Sequence, residues 1–376
     1  MHREDLKPSY KNDFADEDHE KDLSVVECED SSEDGNVLSS SAELLSTACS
    51  QRPVLLLCSN CVDCWTNTAA DKIIIDTAEE ECVQTITVGY ILNLLIPFDF
   101  EEIEEQVKAQ IEDLSDKGFT SFLNLGSPDY FESLYQDAIM GLYNEGDMRQ
   151  RFFGSLFVNR PLLPRIIIYK LMARKTNCLE MGGLVNSDML NLYIDNENSP
   201  IPFSEDALCR ILNDVCDKGF EIFIEAISHD DMILAYKAIE FVRSKGYKNE
   251  IVIASDYKIS SDERMDMLYW ESVSTTWGTN LFASSSVCAN VSTMSEVIDQ
   301  LTVDAARILG MVDELGSIEK GKLADLAVFD ENPFDCQVKL FPRLHTSMTI
   351  LGGEVVHDAE LENDIEMYNL MQSQQI

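Results

Sequence analysis

Leu301–Asp358, LTVDAARILGMVDELGSIEKGKLADLAVFDENPFDCQVKLFPRLHTSMTILGGEVVHD, is the stretch whose reading decides the fold. Its first third places Leu301, Ala305, Ile308, Leu309 and Val312 at three- and four-residue spacing, so one apolar stripe runs along a helix. The period then changes. Leu326, Ala327, Val328 and Phe329 form a short apolar run between turn formers, with Gly316 and Gly321 before it and Asn332-Pro333 after it. Met348, Ile350 and Leu351 lead into Gly352-Gly353, and Val355 and Val356 lead out, which predicts a hairpin. A helix followed by a small strand-and-hairpin unit is expected.

Working outward, Gly316, Ser317, Ile318, Glu319, Gly321, Lys322, Ala324, Asp325 and Leu326 follow one pattern, continued by Asn332, Pro333, Gly352 and Gly353. This pattern resembles the C-terminal end of the amidohydrolase superfamily: a Gly-Ser-Ile/Leu-Glu-x-Gly-Lys-x-Ala-Asp-Leu strand, an Asp-x-x-Pro turn and a Gly-Gly hairpin. The resemblance implies that these residues build a β-sandwich portion beside a barrel and hold no metal themselves. A second stretch, Arg52 to Ala70, is similar to a segment of amidohydrolase family 3 through Pro53, Val54, Leu56, Trp65, Asn67, Thr68 and Ala70, with Val62 where the family often has a histidine. The same stretch spaces Cys58, Cys61 and Cys64 as CxxCxxC. Such thiolates can bind zinc or an iron–sulfur cluster, but a fourth ligand at matching spacing is missing.

Between these stretches helical and strand patterns alternate. Ile103, Val107, Ile111 and Leu114 form one helical stripe closed by Gly118, and a short strand follows over 119–125. A helix is then expected over 128–143, a strand over 149–158, a helix over 206–217, a strand over 219–231, a helix over 232–244 and a strand over 250–254. Alternation of this length argues for a parallel sheet covered by helices. The expected fold is α/β: a (β/α)8-type metal-dependent hydrolase barrel, incomplete, with a small C-terminal β-sandwich portion. The expected division is an acidic, disordered segment over 1–50, a barrel-like domain over 51–312, the sandwich portion over 313–360 and a tail over 361–376.

Charge and cysteines bound the function classes. The chain has 376 residues, is 45% hydrophobic and carries a formal charge of −40. Residues 1–50 hold 14 Asp/Glu against 4 Lys/Arg, a net −10, so −30 remains for the other 326 residues. A surface this negative repels nucleic acid and anionic lipid, and neither is expected as a partner. The 11 cysteines are an odd number without a small-disulfide pattern, which favours free thiols in a reducing, cytoplasmic setting. No signal peptide and no membrane span are expected, because neither an N-terminal apolar region nor a long apolar run occurs.

The resemblance implies hydrolysis of carbon–nitrogen bonds other than peptide bonds, on a small-molecule substrate, with divalent metal, typically zinc, as cofactor. Such ions lower the pKa of bound water and polarise the substrate carbonyl, and imidazoles and carboxylates at the strand ends hold them. Here the ligand set is largely replaced. The five histidines are His2, His19, His229, His345 and His357, and no His-x-His pair exists. The family's ligand histidine in GFEIFIEAISHDD falls on Glu225, that of the next strand falls on Ser255, and the bridging position, around Leu184 to Asp188, has no lysine. A late Ser-Asp pair is replaced by the SSS within 283–287. Glu225, His229, Asp230 and Ser255 are therefore the candidate remnant of a site, with Glu225 and His229 as the candidate metal ligands. The competing reading is that His229-Asp230-Asp231 opens the next helix, where carboxylates are favoured at the N-terminus. Three functions follow: a hydrolase with a rebuilt metal site, a non-catalytic scaffold that binds a small molecule or a partner, and a truncated gene product.

Overall fold

The computed structural model describes residues 24–28, 45–58, 64–80, 88–95, 99–127, 129–199, 201–255, 268–271 and 293–361. They belong to two compact units, Met1–Pro97 and Phe98–Ile376.

The first unit holds strands β1 (Ser24–Cys28), β2 (Val54–Cys58) and β3 (Cys64–Thr66), then helices α1 (Thr68–Glu80) and α2 (Val88–Leu95). β1 is a strand inside the acidic segment and pairs in parallel with β2, while β3 pairs with β2 antiparallel. Asn67 is fully buried between β3 and α1. Its Oδ1 accepts from the backbone N–H of Val54 and of Ala70, both at 3.0 Å, and its Nδ2 donates to the carbonyls of Cys49 and Arg52. The Trp-x-Asn-Thr motif thus caps α1 and anchors β2, since one amide satisfies four backbone groups that would otherwise be unpaired.

The second unit is built on a parallel sheet: β4 (Ser121–Asn124), β5 (Arg151–Val158), β6 (Val185–Ile194), β7 (Ile222–Ala226), β8 (Ile251–Ser255) and β9 (Leu268–Glu271). All five pairings are parallel and the strands lie side by side in chain order. This order has no switch point. Right-handed crossovers place every connecting helix on one face, as in a (β/α)8 barrel. Helix α3 (Phe100–Asp116) precedes β4, and α4 (Asp129–Glu145), α5 (Pro164–Cys178), α6 (Glu205–Asp217) and α7 (His229–Ser244) connect the next four pairs. Alternation divides the strands between two cores. Leu190, Leu192, Ile222, Ile224, Ile251 and Ile253 pack under α5, α6 and α7, whereas Met189, Phe223, Val252 and Ala254 pack on the opposite, inner face.

On that inner face Leu123 and Leu125, from the end of β4, join Phe223 of β7 and Val252 of β8 in one cluster. Met189 of β6 and Ile308 of the C-terminal stretch complete that cluster, and the amide of Asn191 in β6 reaches both Glu225 of β7 and the carbonyl of Leu125 just beyond β4. The sheet is curled into an incomplete (β/α)8-type barrel. Glycine is required at the β4 exit, where Gly126 has φ +85° and an added Cβ would stand 2.6 Å from the Ser155 carbonyl oxygen.

The C-terminal stretch forms α8 (Met294–Asp299), a π-helical turn over Gln300–Asp304 and α9 (Ala305–Ile308). The helix expected from Leu301 begins earlier because Thr293 and Glu296 form a capping box before Met294. β10 (Leu326–Phe329), β11 (Thr346–Leu351) and β12 (Glu354–Asp358) make an antiparallel sheet, with the expected turn at Gly352-Gly353. Motif residues clasp this end to the barrel. Lys322 donates to the carbonyls of Val312 and Leu315 at 2.6 and 3.0 Å. Asp325 receives Arg151 of β5 through two hydrogen bonds, Nε to Oδ2 at 2.6 Å and Nη2 to Oδ1 at 3.0 Å. Thr349 donates to the carbonyl of Ser115 in α3 at 2.6 Å. No helix among the described residues is long and apolar enough to cross a membrane.

Candidate functional site

In a parallel barrel the side chains that can act on a ligand converge at the C-terminal ends of the strands. β6 runs from Val185 to Ile194, so its C-terminal end is Asn191–Ile194. The position assigned from sequence to Leu184–Asp188 lies instead at the start of that strand, where Asp188 pairs with Lys175 of α5 at 2.8 Å. The correction has a simple cause: apolar and polar residues are mixed along β6, and only its pairing with β7, Asn191 opposite Phe223 and Tyr193 opposite Glu225, fixes where it ends.

Glu225 is on the inner face of β7, 3% exposed, and Asn191 of β6 is fully buried beside it. The Asn191 Nδ2 donates to Glu225 Oε1 at 2.7 Å and to the carbonyl of Leu125 at 2.8 Å. One amide therefore spans from β7 across to the exit of β4. Burial pushes the Glu225 carboxyl up to about 7, against the opposing hydrogen bond from Asn191. Near neutral pH the group is divided between acid and carboxylate, the condition that suits a proton acceptor or donor. Phe157 and Tyr193, with ring centroids 5.8 Å apart, flank the same end of the sheet.

The remaining sequence candidates are not gathered here. His229 and Asp230 begin α7, with side chains 60% and 99% exposed and a His229 Nδ1 to Asp230 Oδ1 separation of 3.9 Å. The strand expected over 219–231 ends at Ala226 because Ser228 and Asp231 form a capping box, Ser228 Oγ accepting from the Asp231 N–H at 3.1 Å and Asp231 Oδ2 accepting from the Ser228 N–H at 3.2 Å. Ser255 is buried at the end of β8, and by alternation it shares the helix-side register of Ile251 and Ile253. Of the thiols, Cys58 ends β2, Cys64 opens β3 opposite Leu57, and Cys61 lies outside the described residues, as does the SSS within 283–287. Asn191 was missed from sequence, although Met189, Asn191 and Tyr193 share one face by simple alternation.

The donor set does not fit a zinc-type ion among the described residues. Such an ion needs several imidazole, thiolate or carboxylate donors converging at about 2 Å, and no group of three or more His, Cys, Asp or Glu side chains is so arranged among the described residues. The described histidines are engaged elsewhere: His345 Nδ1 is 3.0 Å from Asp330, and His357 Nδ1 is 3.1 Å from Asp116 at the end of α3. At the inner end of the strands Glu225 is accompanied by an amide, a poorer ligand.

Residues 203–357, from the start of α6 to β12, match the profile of the amidohydrolase family. This match spans 155 of the 376 residues, less than half of the chain. No curated protein matches the chain by sequence. Among solved structures the chain is similar to a Xaa-Pro dipeptidase with bound methionine (15% identity, 69% of this chain and 80% of that one, TM-score 0.49). It is also similar to a 5-methylcytosine deaminase from Klebsiella pneumoniae (12% identity, 77% and 80%, TM-score 0.47) and to an uncharacterised metal-dependent hydrolase from Pyrococcus horikoshii (14% identity, 76% and 73%, TM-score 0.46).

Proposed function

We propose that this chain is a degenerate amidohydrolase-type barrel that keeps the chamber of a carbon–nitrogen hydrolase without the family's metal ligands, and works as a non-catalytic binding scaffold for a small molecule. One observation carries the reading: where the inner end of β7 would need to present an imidazole, it presents Glu225, held by the Asn191 amide at 2.7 Å. The cytoplasm is the compartment this reading assumes, on the strength of the 11 cysteines.

A second reading, hydrolysis with Glu225 as the proton acceptor, is favoured by the carboxyl being pushed to about 7. Metal analysis by inductively coupled plasma spectrometry, on protein equilibrated with zinc and then dialysed, separates the two. The scaffold reading expects far less than one equivalent of bound metal and no turnover of cyclic amides above the buffer blank. Stoichiometric metal that disappears in Glu225→Ala, or turnover that a chelator stops, overturns it.

A further inference from the structure

Strand pairing sets out what surrounds Glu225. Phe157 of β5, Asn191 of β6 and Phe223 of β7 stand in register, and Tyr193 and Glu225 stand in register one inner-facing step nearer the strand ends. Partners in register on parallel strands share a face, so three aromatic side chains and one amide accompany a single carboxyl. Phe157 and Tyr193 are half-buried, whereas Asn191 and Glu225 are buried. The two rings are therefore where this row reaches solvent. No Lys, Arg or His is placed on the inner face at this end among the described residues of β5 to β8.

Hydrogen bonding here is incomplete on the acceptor side. Asn191 directs both Nδ2 hydrogens into the protein, to Glu225 Oε1 and to the Leu125 carbonyl, and two acceptors on one nitrogen fix which way the amide is turned. Its Oδ1 is buried and meets no donor. Asn191 is also the one hydrogen-bond partner of the Glu225 carboxyl among the described residues. Buried acceptors are seldom left without a donor, and the exceptions mark groups that a ligand or a water completes. The pair offers acceptors and no free N–H, which suits neither a carboxylate nor a phosphate. A neutral cyclic amide would have to find a donor for its carbonyl. A primary ammonium has three N–H donors and no acceptor. It is attracted by a carboxylate, by aromatic faces and by a chain of net charge −40. Burial holds the Glu225 carboxyl at about 7, and a cation beside it favours the charged form.

We propose that the inner end of β6 and β7 binds a small primary amine in its ammonium form, which donates to the Glu225 carboxylate and to Asn191 Oδ1 and rests its apolar part on Phe157 and Tyr193. This names the ligand class of the scaffold proposed above and rests on that reading.

The test is isothermal titration calorimetry on the full chain with benzylammonium, its neutral isostere benzyl alcohol, and dihydrouracil as a cyclic amide. Benzylammonium is expected to bind with a sub-millimolar Kd, about tenfold or more tighter than either neutral compound, because only it forms charge-assisted hydrogen bonds to a carboxylate. Binding is expected to weaken about tenfold or more in Glu225→Gln and severalfold in Tyr193→Leu. Circular dichroism melts establish that both variants fold, and the comparison of ammonium with alcohol needs no variant. The proposal is overturned by no binding of benzylammonium, which would leave Asn191 Oδ1 to a water. Equal binding of benzyl alcohol, tighter binding of dihydrouracil, or binding unchanged in Glu225→Gln overturns it as well. Metal analysis of the same sample separates the two readings. Failure to bind the amine in a metal-free chain that turns over no cyclic amide overturns this inference alone, whereas stoichiometric metal overturns the scaffold and the ammonium site with it.

Discussion

Replacing Asp325 by asparagine isolates the contact that ties the two ends of the second unit together. Arg151 and Asp325 are separated by 174 residues and meet through two hydrogen bonds at 2.6 and 3.0 Å, with side chains only 6% and 2% exposed. Asp325 Oδ1 also accepts from the Gly352 N–H at 2.7 Å, and Arg151 Nη1 donates to the Gly183 carbonyl at 3.4 Å. Asparagine keeps the volume and one acceptor but removes the charge, so the guanidinium is left in the interior without its counter-ion. Breaking a buried pair in this way costs roughly 3–5 kcal/mol, about a fifth or more of the roughly 5–15 kcal/mol that holds a typical domain folded. Urea unfolding followed by circular dichroism reads the loss as a shift of midpoint. The double variant Arg151→Met/Asp325→Leu removes both charges together and is expected to recover most of the stability, because the main penalty is the orphaned charge rather than the absent bond. A loss of less than about 1 kcal/mol in Asp325→Asn, the value of an exposed pair, would refute the reasoning.

Three further outcomes follow from single contacts. Glu225→Gln tests the raised carboxyl: its folded pKa of about 7 lies above the ordinary 4.5, so the native state holds the proton more tightly. Stability is therefore lost as pH rises through this window, by about 3 kcal/mol in full. Glu221, also pushed to about 7 by burial, keeps its contribution in both proteins, so the readout is the difference between wild-type and variant curves; parallel curves from about pH 5 to 7.5 would contradict the assignment. Gly316→Ala should destabilise by about 3 kcal/mol or prevent folding, since φ is +86° there and the new Cβ would stand 2.7 Å from the Ala306 Cβ and 2.9 Å from the Val303 Cα; an unchanged melting temperature would show that the turn can move. Ser228→Ala removes the cap of α7 and should cost about 1 kcal/mol in thermal unfolding, whereas the neighbouring His229→Ala, at a 60% exposed side chain, should cost less than about 0.5 kcal/mol.

Much of the frame was legible in the chain because it depends on local periods. The apolar stripe Val107, Ile111 and Leu114 gave α3, the run Leu326–Phe329 gave β10, and Gly352-Gly353 gave the hairpin, since each follows from 3.6- or 2-residue repetition and turn chemistry. The ambiguous element was His229-Asp230-Asp231. A strand end and a helix start both accept those residues, and the Ser228–Asp231 capping box decided for the helix.

The sequence by itself determined the order of helices and strands and the glycines its turns require, because these are properties of residue type and spacing. Only the tertiary structure decided that Asn191 meets Glu225 and that Arg151 meets Asp325. Those facts depend on how far the sheet curls and how neighbouring strands are offset. Both are set by packing summed over the whole unit, and a single segment carries no record of them.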